Sequence, residues 1–411
     1  MNGCSTNKRH SSAEVFLNHH LLQDLMDQRL DNLNKSGLLR TLTPIGGVGV
    51  CREVEGRIVV SFCSNDYLGL TLHPRVKNAA SRAAVTLGTG SGSSRLISGD
   101  YRLLGTLEEE LADFVGCEAT LIFGSGFLAN LGVITTLATQ DDRLFSDRLN
   151  HASIVDGCRL SRSEVHILPH GDLAALEAGL AQPHPGHSFW VGESLFSMDG
   201  DLLPLEEMLA ITHHAGAGAV VDDAHALGIL GPEGRGLCFG QTHFPLAVVG
   251  TFGKVLGSYG AFVGGSHTLR QLLINCARSE IFTTALPPPV IAAALEALRV
   301  LREEPEHRLR LLENIQMFHQ GLQSLGFDVG SARHHIVPIV VGQPEVAVHL
   351  AHRLLERGIF ARAIRPPTVP AGTCRIRFTL SAAHTREQLQ QALEVLAEEV
   401  RDMDPGRELV P

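Results

Sequence analysis

A single lysine lies in the middle of an apolar, glycine-rich stretch of the sequence. The stretch "VVGTFGKVLGSYGAFVGG" runs from Val248 to Gly265, and Lys254 is its only charged residue. An ammonium group buried among apolar side chains is costly unless it is paired or neutralised. A desolvated lysine with a lowered pKa is the usual amine for an imine with a carbonyl compound. Lys254 is therefore a candidate nucleophile, and the alternative is a partly exposed loop lysine without a chemical role.

Other polar side chains follow short apolar runs that have the pattern of buried strands. Asp222 and His225 follow "GAVV", Ser197 follows "WVGESLF", and Thr251 follows "LAVV". In an open parallel sheet, ligands bind at the carboxyl ends of the strands. The turn "GSGFLAN" follows another such run, and backbone N–H groups in a turn of this kind bind anions such as phosphate. Each feature alone has a plain alternative, namely an ordinary turn or a helix-capping aspartate.

An imine-forming lysine, a phosphate-binding turn and an acid at a strand end together meet the needs of pyridoxal 5′-phosphate (PLP). The acid keeps the pyridine nitrogen protonated, which makes the ring an electron sink. His151, in "LNHASIVDG", follows a further apolar run and is placed to cover the ring. The alternative for His151 is a helix-entry histidine that forms only local hydrogen bonds. The residues therefore predict PLP as the cofactor, and we expect no metal site, since HExxH and CxxC spacings are absent.

The composition argues against several other classes of protein. The 411 residues carry a net charge of −10, which argues against a general nucleic-acid binder. No lysine-rich run predicts binding to an anionic membrane surface. No run of about 18 apolar residues predicts a membrane span, and the polar start "MNGCSTNKRH" does not have the pattern of a secretory signal. Eight scattered cysteines indicate reduced thiols in a cytoplasmic protein.

The elements that must position these residues are read from hydrophobic periodicity. Short apolar strands alternate with helical patterns from about residue 74 to 265, which predicts an α/β fold with a mostly parallel central sheet and helices on both faces. A helix is expected over about 14–39, and one long helix after "TTALPPPV". We expect four parts: an N-terminal helix and lead-in segment (1–60), a large cofactor-binding α/β domain (61–300), a small C-terminal α+β domain (301–400) and a tail (401–411).

Eight motifs in this order resemble the α-oxoamine synthases, over roughly residues 60 to 400. They are "NDYLGL", "GTGSGSSRLISG", "GSGFLANLGVI", "LNHASIVDG", "ESLFSMDGDLLPL", "VVDDAHALGILG", "TFGKVLGSYGAFVGG" and "IRPPTVPAGTCRIRFTLSAAHT". The resemblance implies a fold-type I PLP-dependent acyltransferase that acts as a homodimer. Members of this family join an amino acid to an acyl thioester with loss of carbon dioxide. The loop "RPPTVPAGT" favours L-alanine and a pimeloyl thioester, carried by coenzyme A or by an acyl carrier protein. The alternative is another reaction of the family, such as that of glycine C-acetyltransferase.

The resemblance also implies roles for the residues around the cofactor ring. Lys254 would form the imine and later carry the proton. Asp222 would pair with the pyridinium nitrogen, His225 would bond the phenolic oxygen, and His151 would stack on the ring. Ser197 would lie near the ring.

The remaining implied roles concern the phosphate and the substrates. The backbone N–H groups of Gly126 and Phe127, with Thr251, would hold the phosphate. Thr284 would reach that phosphate from the neighbouring subunit. Asn65 and Arg377 would bind the amino-acid carboxylate, with Arg375 on the same strand face as an alternative, and Arg40 would contact the acyl substrate. The sequence departs from the family at Ala226-Leu227, where larger side chains are expected to narrow the acyl entrance or shift His225.

Two other classes of function fit less well. A dinucleotide-binding oxidoreductase would use "GTGSGSSRLISG" as its glycine loop, but this stretch follows a helical pattern and lacks an acid about 20 residues further on. A non-catalytic ligand-binding or scaffold protein would not need Lys254, Asp222 and His225 together. The sequence therefore favours an enzyme that uses PLP.

Overall fold

The structure is a computed structural model that describes residues 12–327, 330 and 333–403. Its helices are α1 (Ser12–Lys35), α2 (Pro74–Leu87), α3 (Arg102–Val115), α4 (Gly126–Leu137), α5 (Ala152–Ser161), α6 (Leu173–Leu180), α7 (Leu205–His214), α8 (His267–Cys276), α9 (Arg278–Ile281), α10 (Pro288–Glu303), α11 (Glu306–Ser324), α12 (Pro344–Glu356) and α13 (Arg386–Met403). Its strands are β1 (Ile45–Val48), β2 (Cys51–Val54), β3 (Arg57–Ser61), β4 (Ala119–Phe123), β5 (Arg143–Asp147), β6 (Glu164–Leu168), β7 (Ser188–Glu193), β8 (Gly218–Asp222), β9 (Ala247–Thr251), β10 (Ala261–Gly265), β11 (Ile336–Gly342), β12 (Ile359–Phe360), β13 (Arg362–Ile364) and β14 (Cys374–Thr379).

A seven-stranded sheet forms the centre of the molecule, with the strand order β4-β10-β9-β8-β7-β5-β6. Strands β5 to β9 run parallel, and β10 runs antiparallel to both of its neighbours. Alternate residues of β8 point to opposite faces. Val220 joins an apolar cluster with Val133 of α4, whereas Ala219 and Val221 join a second cluster with Met208 of α7. The predicted mostly parallel sheet with helices on both faces is therefore confirmed.

Two smaller sheets lie beside the central one. The antiparallel order β11-β14-β13 gives the C-terminal region its α+β character, as predicted. The lead-in strands form a second sheet, β1-β2-β3-β12, in which β3 runs parallel to β12. The segment before residue 60 is thus hydrogen-bonded to the C-terminal region, and the boundaries proposed at residues 60 and 300 stay predictions.

The long helix predicted after the proline run is in fact two helices. Helix α10 ends at Glu303, Glu304 has a non-helical ψ of 67°, and α11 begins at Glu306. A residue before proline is disfavoured in the α conformation, and here Pro305 follows Glu304. The first helix ends at Lys35, earlier than expected. The predicted tail begins inside α13, and its residues 404–411 lie outside the described residues.

Two further expectations concern membranes and thiols. Among the described helices, none is long and apolar enough to cross a membrane. The cysteines within the described residues are free thiols: Cys51, Cys63, Cys117, Cys158, Cys238, Cys276 and Cys374. The prediction of reduced cysteines therefore holds for this part of the chain.

Candidate active site

Three neighbouring strands of the central sheet deliver charged side chains to one edge. Asp222 ends β8, Glu193 ends β7 in register with it, and Lys254 follows the end of β9. Because these strands are parallel, their carboxyl ends meet at the same edge, where ligands bind in such sheets. The predicted imine lysine and the predicted ring-nitrogen acid are therefore brought together, and Glu193 joins them.

The surroundings of Lys254 favour its neutral amine. Burial lowers the pKa of Lys254 from its usual value, and the guanidinium of Arg377 acts in the same direction. Asp222 and Glu193 oppose this shift without overcoming it. An amine with a lowered pKa is available at neutral pH both as a nucleophile and as a base.

His225 lies in the core beneath the site, with 6% of its surface exposed. Its Nδ1 atom is 2.8 Å from the hydroxyl oxygen of Tyr67. Burial lowers the pKa of His225 well below its ordinary value, and the neighbouring Lys254 acts in the same direction. His225 is therefore a neutral imidazole whose position is fixed by Tyr67.

His151 occupies the N-cap of α5, on the cleft side of the sheet edge. Its backbone N–H donates to Glu193 Oε1 at 2.6 Å, and its Nδ1 accepts from the backbone N–H of Ser153 at 3.3 Å. Burial lowers the pKa of His151, Asp222 opposes that shift, and Lys254 adds to it. The structure thus shows the local capping hydrogen bond that was expected if His151 were only a helix-entry residue. It also places the ring of His151 beside Asp222 and Lys254.

The predicted phosphate-binding turn opens α4. Ser125 caps this helix by accepting from Leu128 N, which leaves the first N–H groups, those of Gly126 and Phe127, at the helix end. A Cβ atom on Gly126 would lie 3.8 Å from Thr251 Cβ, so Thr251 stands directly beside this backbone. Its hydroxyl donates to Gly260 O at 2.9 Å in this structure. Gly126, Phe127 and Thr251 therefore meet, as a phosphate cradle requires.

The predicted carboxylate site also assembles, across the two smaller sheets. Arg377, on β14, donates to Asn65 Oδ1 at 3.3 Å and to the backbone oxygen of Ser197 at 2.9 Å. Arg375, its alternative, is 3% exposed and is paired with Asp199. The guanidinium of Arg375 is thus engaged elsewhere, which favours Arg377 as the carboxylate-binding residue.

Two predicted residues are not brought to this cluster within the described chain. Thr284 lies in the exposed loop before α10, where it lines a small cavity with Arg95 and Glu280. Arg40 donates to Pro366 O at 3.3 Å and lines a separate cavity of about 560 Å³. Their proposed roles in phosphate and acyl binding stay predictions.

Ala226 and Leu227 do not narrow an entrance, contrary to the expectation from the sequence. They are 0% and 2% exposed. Leu227 belongs to the main apolar cluster and contacts the backbone position of Gly250. These side chains therefore fill the core behind His225 and do not face a cleft.

The sequence analysis missed four residues of this site: Glu193, Tyr67, Asn130 and Ser153. Glu193 had a usable signal, because it follows the apolar run "FWVG", a position already recognised as functional for other strands. Burial, strengthened by Asp222, raises the pKa of Glu193 to about 8. The other three act through contacts between distant segments, which the sequence does not display.

This donor set fits PLP. A lysine with a lowered pKa suits imine chemistry, an aspartate at the adjacent strand end suits a pyridinium nitrogen, and a helix N-terminus beside Thr251 suits a phosphate. The backbone at Gly126 is open, since a Cβ there would meet only ordinary van der Waals contacts. Fold and site together define a PLP-dependent enzyme of fold type I.

Comparisons with known proteins agree with that class. The family model "Aminotransferase class I and II" matches residues 57–396. The 8-amino-7-oxononanoate synthase of Geobacter sulfurreducens is 48% identical over 378 residues, which is 90% of this chain and 96% of that protein. The enzyme of the same name from Anaeromyxobacter dehalogenans is 47% identical over 386 residues, or 93% of this chain and 97% of its own. A solved serine palmitoyltransferase with PLP has a TM-score of 0.86 at 32% identity, covering 92% of this chain and 97% of that one.

The chain therefore belongs to the class I and II aminotransferase family, and within it to the group of the 8-amino-7-oxononanoate synthases. The resemblance to the α-oxoamine synthases and the prediction of PLP as cofactor are confirmed.

Proposed function

We propose that this chain catalyses the PLP-dependent condensation of L-alanine with a pimeloyl thioester, giving 8-amino-7-oxononanoate and carbon dioxide, a step of biotin biosynthesis. Two observations support this proposal. One sheet edge brings together Lys254, Asp222, His225 and His151, and the chain is 48% identical to an 8-amino-7-oxononanoate synthase. Arg377, whose charge acts on Lys254, and its hydrogen-bond partner Asn65 are the proposed carboxylate-binding pair.

PLP, when bound, supplies an electron sink for the carbanion formed at the α carbon of the amino acid. The residues that would hold it are Lys254, Asp222, His225, His151, Ser197, Gly126, Phe127 and Thr251, with Thr284 from the second subunit. Asp222 offers a carboxylate to the ring nitrogen, and neutral His225 offers a hydrogen bond at the ring oxygen.

Lys254 is the residue that moves protons. Its lowered pKa leaves a fraction of the amine unprotonated near neutral pH, so its Nζ atom can take the α proton of alanine. The same Nζ atom then returns a proton to that carbon after carbon dioxide has left. Burial thus lowers the pKa of Lys254 against the opposing charges of Asp222 and Glu193, and Arg377 adds to the lowering.

Arg377 and Asn65 orient the amino acid. A guanidinium matches a carboxylate with two parallel hydrogen bonds. Arg377 is itself held by Ser197 O and Asn65 Oδ1, so its fork is fixed before substrate arrives. That pre-organisation places the α carbon of alanine toward Lys254.

The acyl donor would use the cavity of about 560 Å³ beside Arg40. Arg362 and Arg365 line it together with Arg40, and apolar side chains such as Leu39 and Val348 complete it. Arg362 pairs in register with Arg377, so these two side chains share one face of the sheet. This combination of guanidinium and apolar groups suits an acyl chain that carries anionic groups, on coenzyme A or on a carrier protein.

A homodimer with shared sites would cover the exposed apolar face of α1. Leu22, Met26 and Leu30 of this helix are 57%, 50% and 52% exposed. Apolar side chains at helical spacing that face solvent mark an interaction surface.

The cysteines of the described residues are free thiols, as is typical of proteins in a reducing compartment. This supports a cytoplasmic location.

The function is tested by following thiol release from pimeloyl-coenzyme A with L-alanine, glycine or L-serine as co-substrate. L-Alanine should give the highest kcat/KM, and Lys254→Ala should abolish both the activity and the visible absorbance of lysine-bound cofactor. Lys77→Ala, a change of an exposed lysine on α2, is the matched control and should behave as wild type. A preference for glycine with acetyl-coenzyme A would replace the proposal by the alternative reaction.

The dimer is tested separately by sedimentation velocity. The wild-type chain should sediment as a dimer, and Leu22→Asp combined with Leu30→Asp should shift it toward monomer. A monomeric wild type that retains full activity would overturn the shared-site proposal for Thr284.

A further inference from the structure

A path of hydrogen bonds connects the carboxylate of Asp222 to the ring of His151. Asn130, on α4 and 1% exposed, donates from Nδ2 to Asp222 Oδ2 at 2.6 Å and to Ser153 Oγ at 3.0 Å. The hydroxyl oxygen of Ser153, on α5, lies 2.8 Å from His151 Nδ1. The path runs through two buried residues, Asn130 and Ser153, that have no role in the chemistry proposed above.

The chemistry of the groups fixes the direction of each bond. A carboxylate offers only acceptors, so the contact of 2.6 Å requires the NH₂ group of Asn130 to face Asp222. Turning the amide would place two oxygen atoms at that distance. The second N–H of Asn130 then points to Ser153, whose hydroxyl oxygen accepts it. The hydroxyl hydrogen of Ser153 is therefore left to donate to His151 Nδ1.

The Nδ1 atom of His151 receives a second donor, the backbone N–H of Ser153 at 3.3 Å. A ring nitrogen that accepts hydrogen bonds carries no proton, so the proton of a neutral imidazole sits on the other nitrogen. Burial lowers the pKa of His151, which keeps the ring neutral as this assignment requires. The arrangement thus selects one of the two tautomers.

We propose that Asn130 and Ser153 are positioning residues that hold His151 as the neutral tautomer with its proton on Nε2. Glu193 completes the arrangement, because its Oε1 atom accepts the backbone N–H of His151 at 2.6 Å. The backbone of His151 is held by β7, and the proton of its ring is placed by α4 and α5. Asp222 thereby determines, through two intermediates, which ring atom of His151 donates toward the cleft.

The hydrogen bonds that run from Asp222 through Asn130 and Ser153 to His151 form a relay. This relay determines whether the exposed edge of the His151 ring donates or accepts a hydrogen bond. Nδ1 faces Ser153, so Nε2, on the opposite side of the ring, is the atom free to meet a ligand. It meets that ligand as an N–H donor and not as an acceptor. This inference rests on the proposed site, but it concerns the location of one proton and does not depend on which substrates the enzyme uses.

The test reads the proton directly, by ¹⁵N NMR of histidine-labelled full-length chain with and without PLP. His151→Gln identifies the resonances of this ring. In the wild type, Nε2 should show the shift of a protonated nitrogen and Nδ1 that of an unprotonated one. Ser153→Ala removes the hydroxyl donor and should give a mixture of both tautomers.

Asn130→Asp reverses the direction of the relay at nearly constant shape. The carboxyl introduced at position 130 shares one proton with Asp222, because two oxygen atoms 2.6 Å apart cannot both lack a hydrogen. It has no N–H left to donate to Ser153, so it accepts the hydroxyl hydrogen of Ser153, and His151 must donate from Nδ1 to Ser153 Oγ. The tautomer should therefore switch to Nδ1–H. Ser161→Ala is the matched control, since Ser161 is a buried serine of the same helix that bonds only local backbone. It should leave the wild-type spectrum unchanged.

Two results would overturn the inference. One is a wild-type His151 with its proton on Nδ1. The other is an unchanged His151 tautomer in Ser153→Ala, which decides the matter even where Asn130→Asp does not fold. Since neither result involves turnover, a failed substrate assignment would leave this test intact.

Discussion

The hydroxyl oxygen of Tyr67 lies 2.8 Å from Nδ1 of His225 and 3.3 Å from Oδ1 of Asn65. Tyr67 itself is fully buried. Asn65 also accepts from Arg377, so one phenol joins the proposed carboxylate-binding pair to His225. The motif "NDYLGL" therefore contributes to both halves of the site.

Tyr67→Phe should lower both the stability around His225 and the activity with L-alanine, without removing any group that touches substrate. The change leaves Nδ1 of His225 without its hydroxyl partner in the core, which costs about 1–3 kcal/mol for an unsatisfied buried group. A lost hydrogen bond of about 1 kcal/mol lowers kcat/KM for L-alanine roughly fivefold. Urea unfolding and steady-state kinetics measure the two effects, and unchanged values in both would contradict the role assigned to Tyr67.

Glu193→Gln should change how stability depends on pH in the cofactor-free protein. Burial raises the pKa of Glu193 to about 8 from its ordinary value of 4.5. Between these values the unfolded chain has released a proton that the folded chain retains, so ionisation favours unfolding as pH rises. Glutamine keeps an acceptor for His151 N–H and does not titrate. The free energy of unfolding of the variant, minus that of wild type, should grow from pH 4.5 and level off above pH 8.

The control for this prediction is Glu177→Gln, a change of an exposed glutamate on α6. It should give a difference from wild type that does not grow over the same range. A flat difference for Glu193→Gln as well would show that Glu193 ionises normally in the folded chain. The visible spectrum after PLP addition reports in parallel whether His151 still packs correctly.

Arg377→Lys and Arg375→Lys should separate substrate binding from structure. Lysine cannot reproduce the two parallel hydrogen bonds of a guanidinium to a carboxylate. Loss of about 1.5–3 kcal/mol of charged hydrogen bonding in Arg377→Lys raises KM for L-alanine roughly ten- to hundredfold. Arg375→Lys should instead lower the melting temperature through its contact with Asp199, with a much smaller effect on KM. The opposite pattern would assign the carboxylate to Arg375.

The central sheet and its strand-end residues were predictable because both follow local rules. Parallel strands buried on two faces have nearly continuous apolar runs, and their carboxyl ends meet. Asp222, Lys254 and His225 each follow such a run, so spacing alone placed them near one another. The turn "GSGFLAN" followed from the same rule combined with the turn chemistry of glycine, whereas the roles of Gly126 and Phe127 were implied by the resemblance to the α-oxoamine synthases.

The relay and the helix break were not predictable in the same way. Asn130 has the pattern of an ordinary helix residue, and its function depends on the distance between α4, α5 and β8. Glu304 and Pro305 interrupt an apolar periodicity that continues on both sides, so periodicity predicted one helix where the proline requires two. The role proposed for Thr284 involves a second subunit, whose contacts a single sequence does not show.

His170 links two loops at the edge of the site. Its Nδ1 atom is 3.0 Å from both carboxylate oxygens of Asp147, and its Nε2 atom is 2.7 Å from Asp201 Oδ2. Hydrogen bonds to Asp147 and then to Asp201 raise the pKa of His170 to about 10. The imidazolium therefore persists at neutral pH and fastens the loop that carries Ser197 to the end of β5.

His170→Gln should accordingly lose a stabilisation whose size depends on pH. The folded pKa is raised above the unfolded one, so the contribution is fully present below about pH 6.5 and disappears as pH rises through 10. Urea unfolding at pH 6, 8 and 10 should show a gap between wild type and variant that is largest at pH 6 and nearly closed above pH 10. His349→Gln, at an exposed histidine of α12, should show no comparable trend. A gap of constant size would mean that His170 acts by packing and not by charge, since only a charge interaction is removed by deprotonation.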